Sequence, residues 1–449
     1  MQKSRAGHRV FRHRPLRHQP HAGKAAHNAA GEHSVSELYL HGLAGIVGLG
    51  ILVLPIFIAL VYGGAFSIYL VIAAGFVALL IAMLIYDISL THSHDPYNFL
   101  KATSDKEYSF IFGFLMLVSF IITITAAGIA SIGELSEFFG LNIYLAIAVV
   151  DAAFLVMWVL FAYNHTRKTI NFAGALKIFF VLLLIAVGVI AVVTKGFHTA
   201  TASVSFPSYV FFPFALAVLL FLWMYGGFEG IAIAYKGRDR TKVARTLIYV
   251  LFSAIVIFAA IQLLVYGTSS SLSLSSIQLN PVSVFTTNIL TSSFGGLIQE
   301  IVVALSIVVI LTMAFAVINA SNHTIEDMAR DKLMPKFLVG DQNLKLLITA
   351  AVPIALITIF ANIITLVPGA LFVYIPIIIL SALSFAAAFA FFAIGYAYHY
   401  VKRKDYARTA FGVFIAVLLL SLIVFSPAAF LVGLAIILVV SLIGYALLR

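Results

Sequence analysis

The chain has 449 residues, of which 63% are apolar and 10% charged, against about 45–50% and about 25% in ordinary soluble proteins. A single water-soluble core stops growing near about 250–300 residues, so this composition argues against a soluble enzyme and leaves transporters, channels, receptors and membrane-embedded enzymes. No cysteine is present, which removes disulfides and thiolate chemistry, and the net charge of +10 must be located before it carries meaning, because nucleic-acid binding and membrane orientation both give basic totals.

Residues 1–36 form a basic, histidine-rich segment. They carry Lys3, Arg5, Arg9, Arg12, Arg14, Arg17 and Lys24, and the histidines 8, 13, 18, 21, 27 and 33. Few apolar residues interrupt them, so the segment cannot bury enough surface to fold and reads as a disordered tail. The histidine spacing is too irregular for a metal site. The apolar run that follows has the length of a span, so the tail is not read as a signal peptide.

From position 38 onward, long apolar runs alternate with short polar loops. A helix needs about 20 apolar residues to cross a bilayer. Twelve spans are predicted, at roughly 38–62, 66–86, 109–132, 142–163, 173–194, 209–235, 246–267, 293–319, 345–364, 371–399, 408–426 and 428–448. The runs lack barrel alternation, and lipid offers no partner for free backbone groups, so the spans must be helices. The expected fold class is an all-α polytopic membrane protein. Its expected division is the tail, a ten-helix core over 37–400 and two further helices over 401–449.

With the N-terminus in the cytoplasm, all but two of the 27 Lys and Arg fall on the inner side. The exceptions are Lys195, outside, and Lys177, within a span. This is the pattern of the positive-inside rule. It predicts that both termini are cytoplasmic and removes the need for nucleic acid to explain the charge.

Two spans contain clusters that weaken a helix. The first reads Gly45-Ile46-Val47-Gly48-Leu49-Gly50-Ile51-Leu52-Val53-Leu54-Pro55, and the sixth reads Trp223-Met224-Tyr225-Gly226-Gly227-Phe228-Glu229-Gly230. Both fall near mid-span, five spans apart and in opposite orientation. Paired interrupted helices in corresponding positions mark an inverted-repeat transporter with its site at the midplane. Broken helix N-termini offer N–H groups to a carboxylate, and broken C-termini offer C=O groups to an ammonium. The competing reading is that these glycines serve close helix packing.

Here the sequence resembles a known family, the amino acid–polyamine–organocation (APC) permeases. The Gly-Ile-Val-Gly-Leu-Gly-Ile run with Pro55, the Trp223–Glu229 run, and Met328-Ala329-Arg330-Asp331-Lys332-Leu333-Met334-Pro335 are similar to their first-helix, sixth-helix and cytoplasmic motifs, in order. Asn171, Gly174, Lys177 and Gly188 fit the spacing of their fifth helix. The resemblance implies the LeuT-like fold, five helices plus five inverted, with repeats over about 38–194 and 209–399. Three positions depart from the pattern: Leu49 replaces a small residue between the glycines, Tyr235-Lys236-Gly237 replaces an acidic stretch, and His323 stands for an arginine in the loop preceding Met328.

The resemblance also implies a site. The substrate carboxylate would meet the N–H groups of Leu49 and Gly50. Its ammonium would meet the C=O groups of Ile46, Trp223 and Gly226. Gly48, Gly227 and Phe228 belong to the same segments, and Trp223 would lie over the substrate or simply pack. Charges at mid-bilayer are costly and mark function by default. Lys177 is a candidate for proton coupling, because in proton-coupled relatives the matching ammonium replaces the sodium ion of sodium-coupled ones. The alternative is snorkelling to the nearby interface. Glu229, directly after the sixth-helix break, is the second proton-coupling candidate, with a purely structural hydrogen bond as the alternative.

Asp151 and Glu300 are read as packing or water-facing residues, Trp158 as packing, and His92, His94 and Asp95 as loop residues rather than a metal cluster. No His-Glu-x-x-His, Gly-x-Ser-x-Gly or Walker A pattern points to an enzyme, and no cofactor is implied. The expected function is a plasma-membrane secondary active transporter for amino acids or related amines, coupled to protons. The alternatives are amino acid/polyamine exchange and sodium coupling.

Overall fold

A computed structural model describes residues 34–62, 64–92, 95–162, 166–195, 211–234, 240–268, 296–339, 345, 347–366 and 374–448. The tail through residue 33, His94, the Tyr235-Lys236-Gly237 stretch and Arg449 lie outside the described residues. Every regular element among those described is helical. In chain order they are α1 (Val35–Ile46), α2 (Leu49–Tyr62), α3 (Gly64–His92), α4 (Pro96–Thr103), α5 (Lys106–Glu137), α6 (Ile143–Ala162), α7 (Thr166–Lys195), α8 (Phe211–Tyr225), α9 (Glu229–Ala234), α10 (Arg240–Thr268), α11 (Gly296–Arg330), α12 (Val352–Leu366), α13 (Tyr374–Lys402), α14 (Tyr406–Val424) and α15 (Ala428–Leu448).

Eight of these helices are long and apolar enough to cross a membrane: α3, α5, α7, α10, α11, α13, α14 and α15. The pair α1 and α2 makes a further span, bent by 48°. Shorter apolar helices lie where the fourth, sixth and ninth spans are predicted. The outward faces are as apolar as the interior: Val193 on α7 is 78% exposed, and Phe76, Phe172 and Phe252 are exposed too. Helices that are apolar all round suit lipid on one side and protein on the other.

Local sequence explains the departures from straight helix. Before α12, residues Leu347–Ala351 form a π-helical turn. Pro353 sits just beyond it and has no N–H to give the ordinary ladder. Lys332 ends the α11 region with φ of +63°. Asp95 caps α4 by accepting from the Asn98 N–H at 3.0 Å, and Pro96 takes the first helical position, where its missing N–H costs nothing. Two expectations are corrected here. His92 is the last residue of α3 rather than part of a loop, and His323 lies inside α11, which runs on to Arg330 without a loop before Met328.

Packing divides the helices into two groups. α10 and α8 both lie along α3, and α2 packs against α3, α8 and α10. In the second group, α5 is the hub and carries α6, α11, α12 and α13. α7 runs between α1, α10 and α11. It approaches α1 closely, because a side chain at Gly174 would collide with the Leu40 backbone.

Candidate functional site

The two predicted breaks meet. α1 stops at Ile46 and α2 starts at Leu49; α8 stops at Tyr225 and α9 starts at Glu229. Gly227 has φ of +106°, a conformation that L side chains rarely adopt. A Cβ there would lie 2.6 Å from the Gly45 carbonyl carbon, and a Cβ at Gly45 would lie 2.7 Å from the Gly227 oxygen. The broken backbones therefore touch directly, and glycine is required on both sides. Packing and helix breaking are the same fact here, since each glycine permits the other's approach.

Each break holds one ionisable side chain. Lys177, wholly buried on α7, donates from Nζ to the Ala44 carbonyl near the C-terminal end of α1. Glu229 opens α9, and its Oε2 accepts the Gly227 N–H at 2.9 Å. A cation at a helix C-terminus and a carboxylate at a helix N-terminus are the two favourable pairings with the helix dipole. Lys177 does not snorkel: its Nζ is spent on the broken helix.

Between the breaks lies a cavity of about 30 Å³, which has room for about one water molecule. Of the predicted site residues, Ile46, Gly50, Trp223, Gly226, Gly227 and Glu229 line it. Gly48 and Phe228 do not: a Cβ at Gly48 would collide with Met313, and Phe228 stacks on Phe389 at 6.3 Å. Leu49 is fully buried away from the cavity wall, and Lys177 sits behind α1.

Gly45 and Met224 of the two breaks also line it, and the remaining wall comes from residues that sequence reasoning did not place. α5 gives Ser119, Phe120 and Thr123, α11 gives Met313 and Val317, and α13 gives Phe385. Three hydroxyls knit this wall together. Ser381 lies 3.1 Å from Ser119 Oγ and 2.9 Å from Thr123 Oγ1. The Trp223 indole N–H donates to both Thr123 and Ser381 at 3.0 Å. Trp223 is thereby fixed in place as part of the cavity wall. The one available signal was Ser119 and Thr123 four apart on an apolar helix, which puts both hydroxyls on one face.

Other candidates fall elsewhere. Asp151 is half-buried on α6 beside Thr358, and Glu300 is exposed. Among the described residues, no group of three or more His, Asp or Glu stands together.

One end of the bundle carries a separate polar network. Asp87 on α3 accepts from Tyr396 at 2.9 Å and Tyr400 at 3.1 Å, both on α13. Arg408 on α14 pairs with it at 2.9 Å. Nearby, Tyr97 donates to Asp331 at 2.9 Å, and Lys101 pairs with the same carboxylate. Burial and then the Asp331 charge push the Tyr97 phenol above its ordinary range, so it stays a donor.

The sequence matches the family model for amino acid permeases over residues 37–446. No curated protein matches it. Among solved structures, the manganese transporter of Eremococcus coleocola superposes in a histidine-to-alanine variant with a TM-score of 0.59 at 13% identity. A glutamate-to-alanine variant gives 0.59 at 14%, and the complex with an aromatic bis-isothiourea substituted compound gives 0.57 at 12%. Each alignment covers 92% of this chain and 95% of the other. At that identity the likeness is one of fold, the LeuT-like transporter fold. The family model spans nearly the whole membrane unit, including both breaks: the chain belongs to the amino acid permease family of the APC superfamily, and it is a secondary transporter and not an enzyme.

Proposed function

We infer that this transporter carries α-amino acids and couples their movement to protons. The observation that carries the reading is the pairing of each broken helix end with one buried ionisable group, Lys177 on the Ala44 carbonyl and Glu229 on the Gly227 N–H. A zwitterion brings one negative and one positive group, and the breaks would offer it the Gly50 N–H and the carbonyls of Ile46 and Gly226 at the cavity wall, the Trp223 carbonyl already accepting from the Gly226 N–H. Lys177 supports proton rather than sodium coupling, because its Nζ fills the position behind α1 where the resemblance would place the sodium ion of sodium-coupled relatives. Gain and loss of its proton as water reaches it from alternate sides would link transport to a pH gradient.

The manganese cargo of the fold neighbours does not transfer on these residues. The cavity wall offers one carboxylate, and that carboxylate is engaged by Gly227. The distribution of Lys and Arg supports a topology with both termini in the cytoplasm. The alternating step would rock the first, second, sixth and seventh spans against the rest, a division that matches the packing of α2, α3, α8 and α10 as one group.

Proteoliposome uptake tests the reading. Labelled amino acids should accumulate when the outside is acidic and equilibrate when the gradient is collapsed. Accumulation that follows a sodium gradient instead would replace the proton with sodium. Exchange without net accumulation would make the protein an antiporter.

A further inference from the structure

The cavity wall bears on which amino acid is carried. We propose that the site takes an α-amino acid with a small, uncharged side chain, and that Met313 and Phe385 set the upper limit on its size. The proposal rests on the amino acid permease reading above and narrows it.

Charge is the first filter. The single ionisable side chain on the wall is Glu229, and it is joined to the backbone break at Gly227. That carboxyl is already committed to the Gly227 N–H, and the α-ammonium, which every amino acid carries, is left to the backbone carbonyls of the breaks. A second cation, as in lysine, arginine or a polyamine, finds no further carboxylate. A second anion finds no basic group, because Lys177 is behind α1 and bonded to Ala44. The hydroxyls of Ser119, Thr123 and Ser381 are already bonded to one another, and two of them accept from Trp223. Burying an unpaired charge against such a wall is prohibitive.

Size is the second filter. The cavity is about 30 Å³, so any side chain enters by displacing wall atoms. Met313 packs on Gly48 of the first break. Phe385 lies 3.5 Å from where a Cβ on Gly226 would stand, and its ring is backed by Phe389 at 4.8 Å. Both are almost fully buried, at 5% and 2% exposure. Each therefore stands against one break, in buried surroundings that resist retreat.

The experiment is counterflow in proteoliposomes at fixed pH on both sides. Glycine, alanine, serine and threonine are compared with leucine, phenylalanine, lysine, glutamate and putrescine. The wild type should exchange the first four and reject the others by about tenfold or more, the discrimination expected of a tight apolar pocket. Phe385→Ala and Met313→Ala should each raise the leucine-to-alanine rate ratio by about tenfold and still reject lysine and glutamate. Phe385→Leu and Met313→Leu, which keep more of the packing, should shift the ratio in the same direction by less. Lysine, glutamate or putrescine moving as fast as alanine in the wild type overturns the proposal and leaves the permease reading standing. An unchanged ratio in variants that still carry alanine overturns the role of Met313 and Phe385. A folded wild type that moves no member of the panel overturns the permease reading itself, and the proposal with it.

Discussion

The two helix breaks solve one electrostatic problem by different routes. In the first, the charge at the free helix end arrives from another helix: Lys177 reaches Ala44 across 133 positions of sequence. In the second, it comes from the next turn: Glu229 lies two positions from the N–H it caps. The signs are opposite, as the opposite helix ends demand. The sixth-span break is therefore self-contained, whereas the first exists in its present form only while α7 is docked. This difference places the sensitive element of the site in a helix that does not line the cavity.

The largest expected effect comes from the contact the two breaks share. Gly227→Val puts a branched side chain at φ of +106° and against the Gly45 backbone. Transport should be lost, and thermal unfolding in detergent should show a loss of about 1–3 kcal/mol, the scale of one strained backbone position. Undiminished transport would mean the breaks separate easily. Lys177→Met tests the route through α7 while keeping the fill. Gradient-driven accumulation should fall by about 10–100-fold, the scale of one hydrogen bond to a charged group. Full accumulation in that variant would remove Lys177 from coupling.

Glu229→Gln probes the self-contained break. The amide oxygen still accepts from Gly227, so counterflow should stay within about threefold of wild type, less than the loss of one hydrogen bond. Accumulation should lose its pH dependence; retained pH dependence would assign the carboxyl a structural role alone. Ser381→Ala leaves Trp223 with Thr123 as its acceptor and should weaken apparent substrate affinity by about fivefold, near 1 kcal/mol for one hydrogen bond. Arg408→Ala, at the charged end, should cost less than about 1 kcal/mol and leave transport unchanged, because its side chain is 40% exposed and screened.

Much of this was legible in the chain, and the reason it stopped where it did is physical. Span positions, both breaks and the two charged residues stand out because each violates the apolar background. Gly227 and Glu229 act locally, so their roles follow from their neighbours in sequence. Ser119, Thr123, Met313, Ser381 and Phe385 were missed because their helices are apolar on every side. Without a polar face, the sequence of α11 or α13 does not say which residue points inward. Their roles arise from pairings across a hundred positions or more, such as Trp223 with Thr123 and Ser381. The ends of helices misled in a similar way: polar residues such as His323 look like loop until the unbroken course of α11 is seen.

That unbroken course makes α11 a lever. Its middle holds Met313 and Val317 in the cavity wall, and just past its end stands Asp331, gripped by Tyr97 and Lys101. About 27 Å separates Met313 from Asp331 at the usual helical rise. Over that arm, a tilt of about 5° at the cavity swings the carboxylate by about 2 Å, enough to break a hydrogen bond of ordinary length. The grip on Asp331 would thus register, at the charged end of the bundle, a tilt of α11 that moves the cavity wall only slightly.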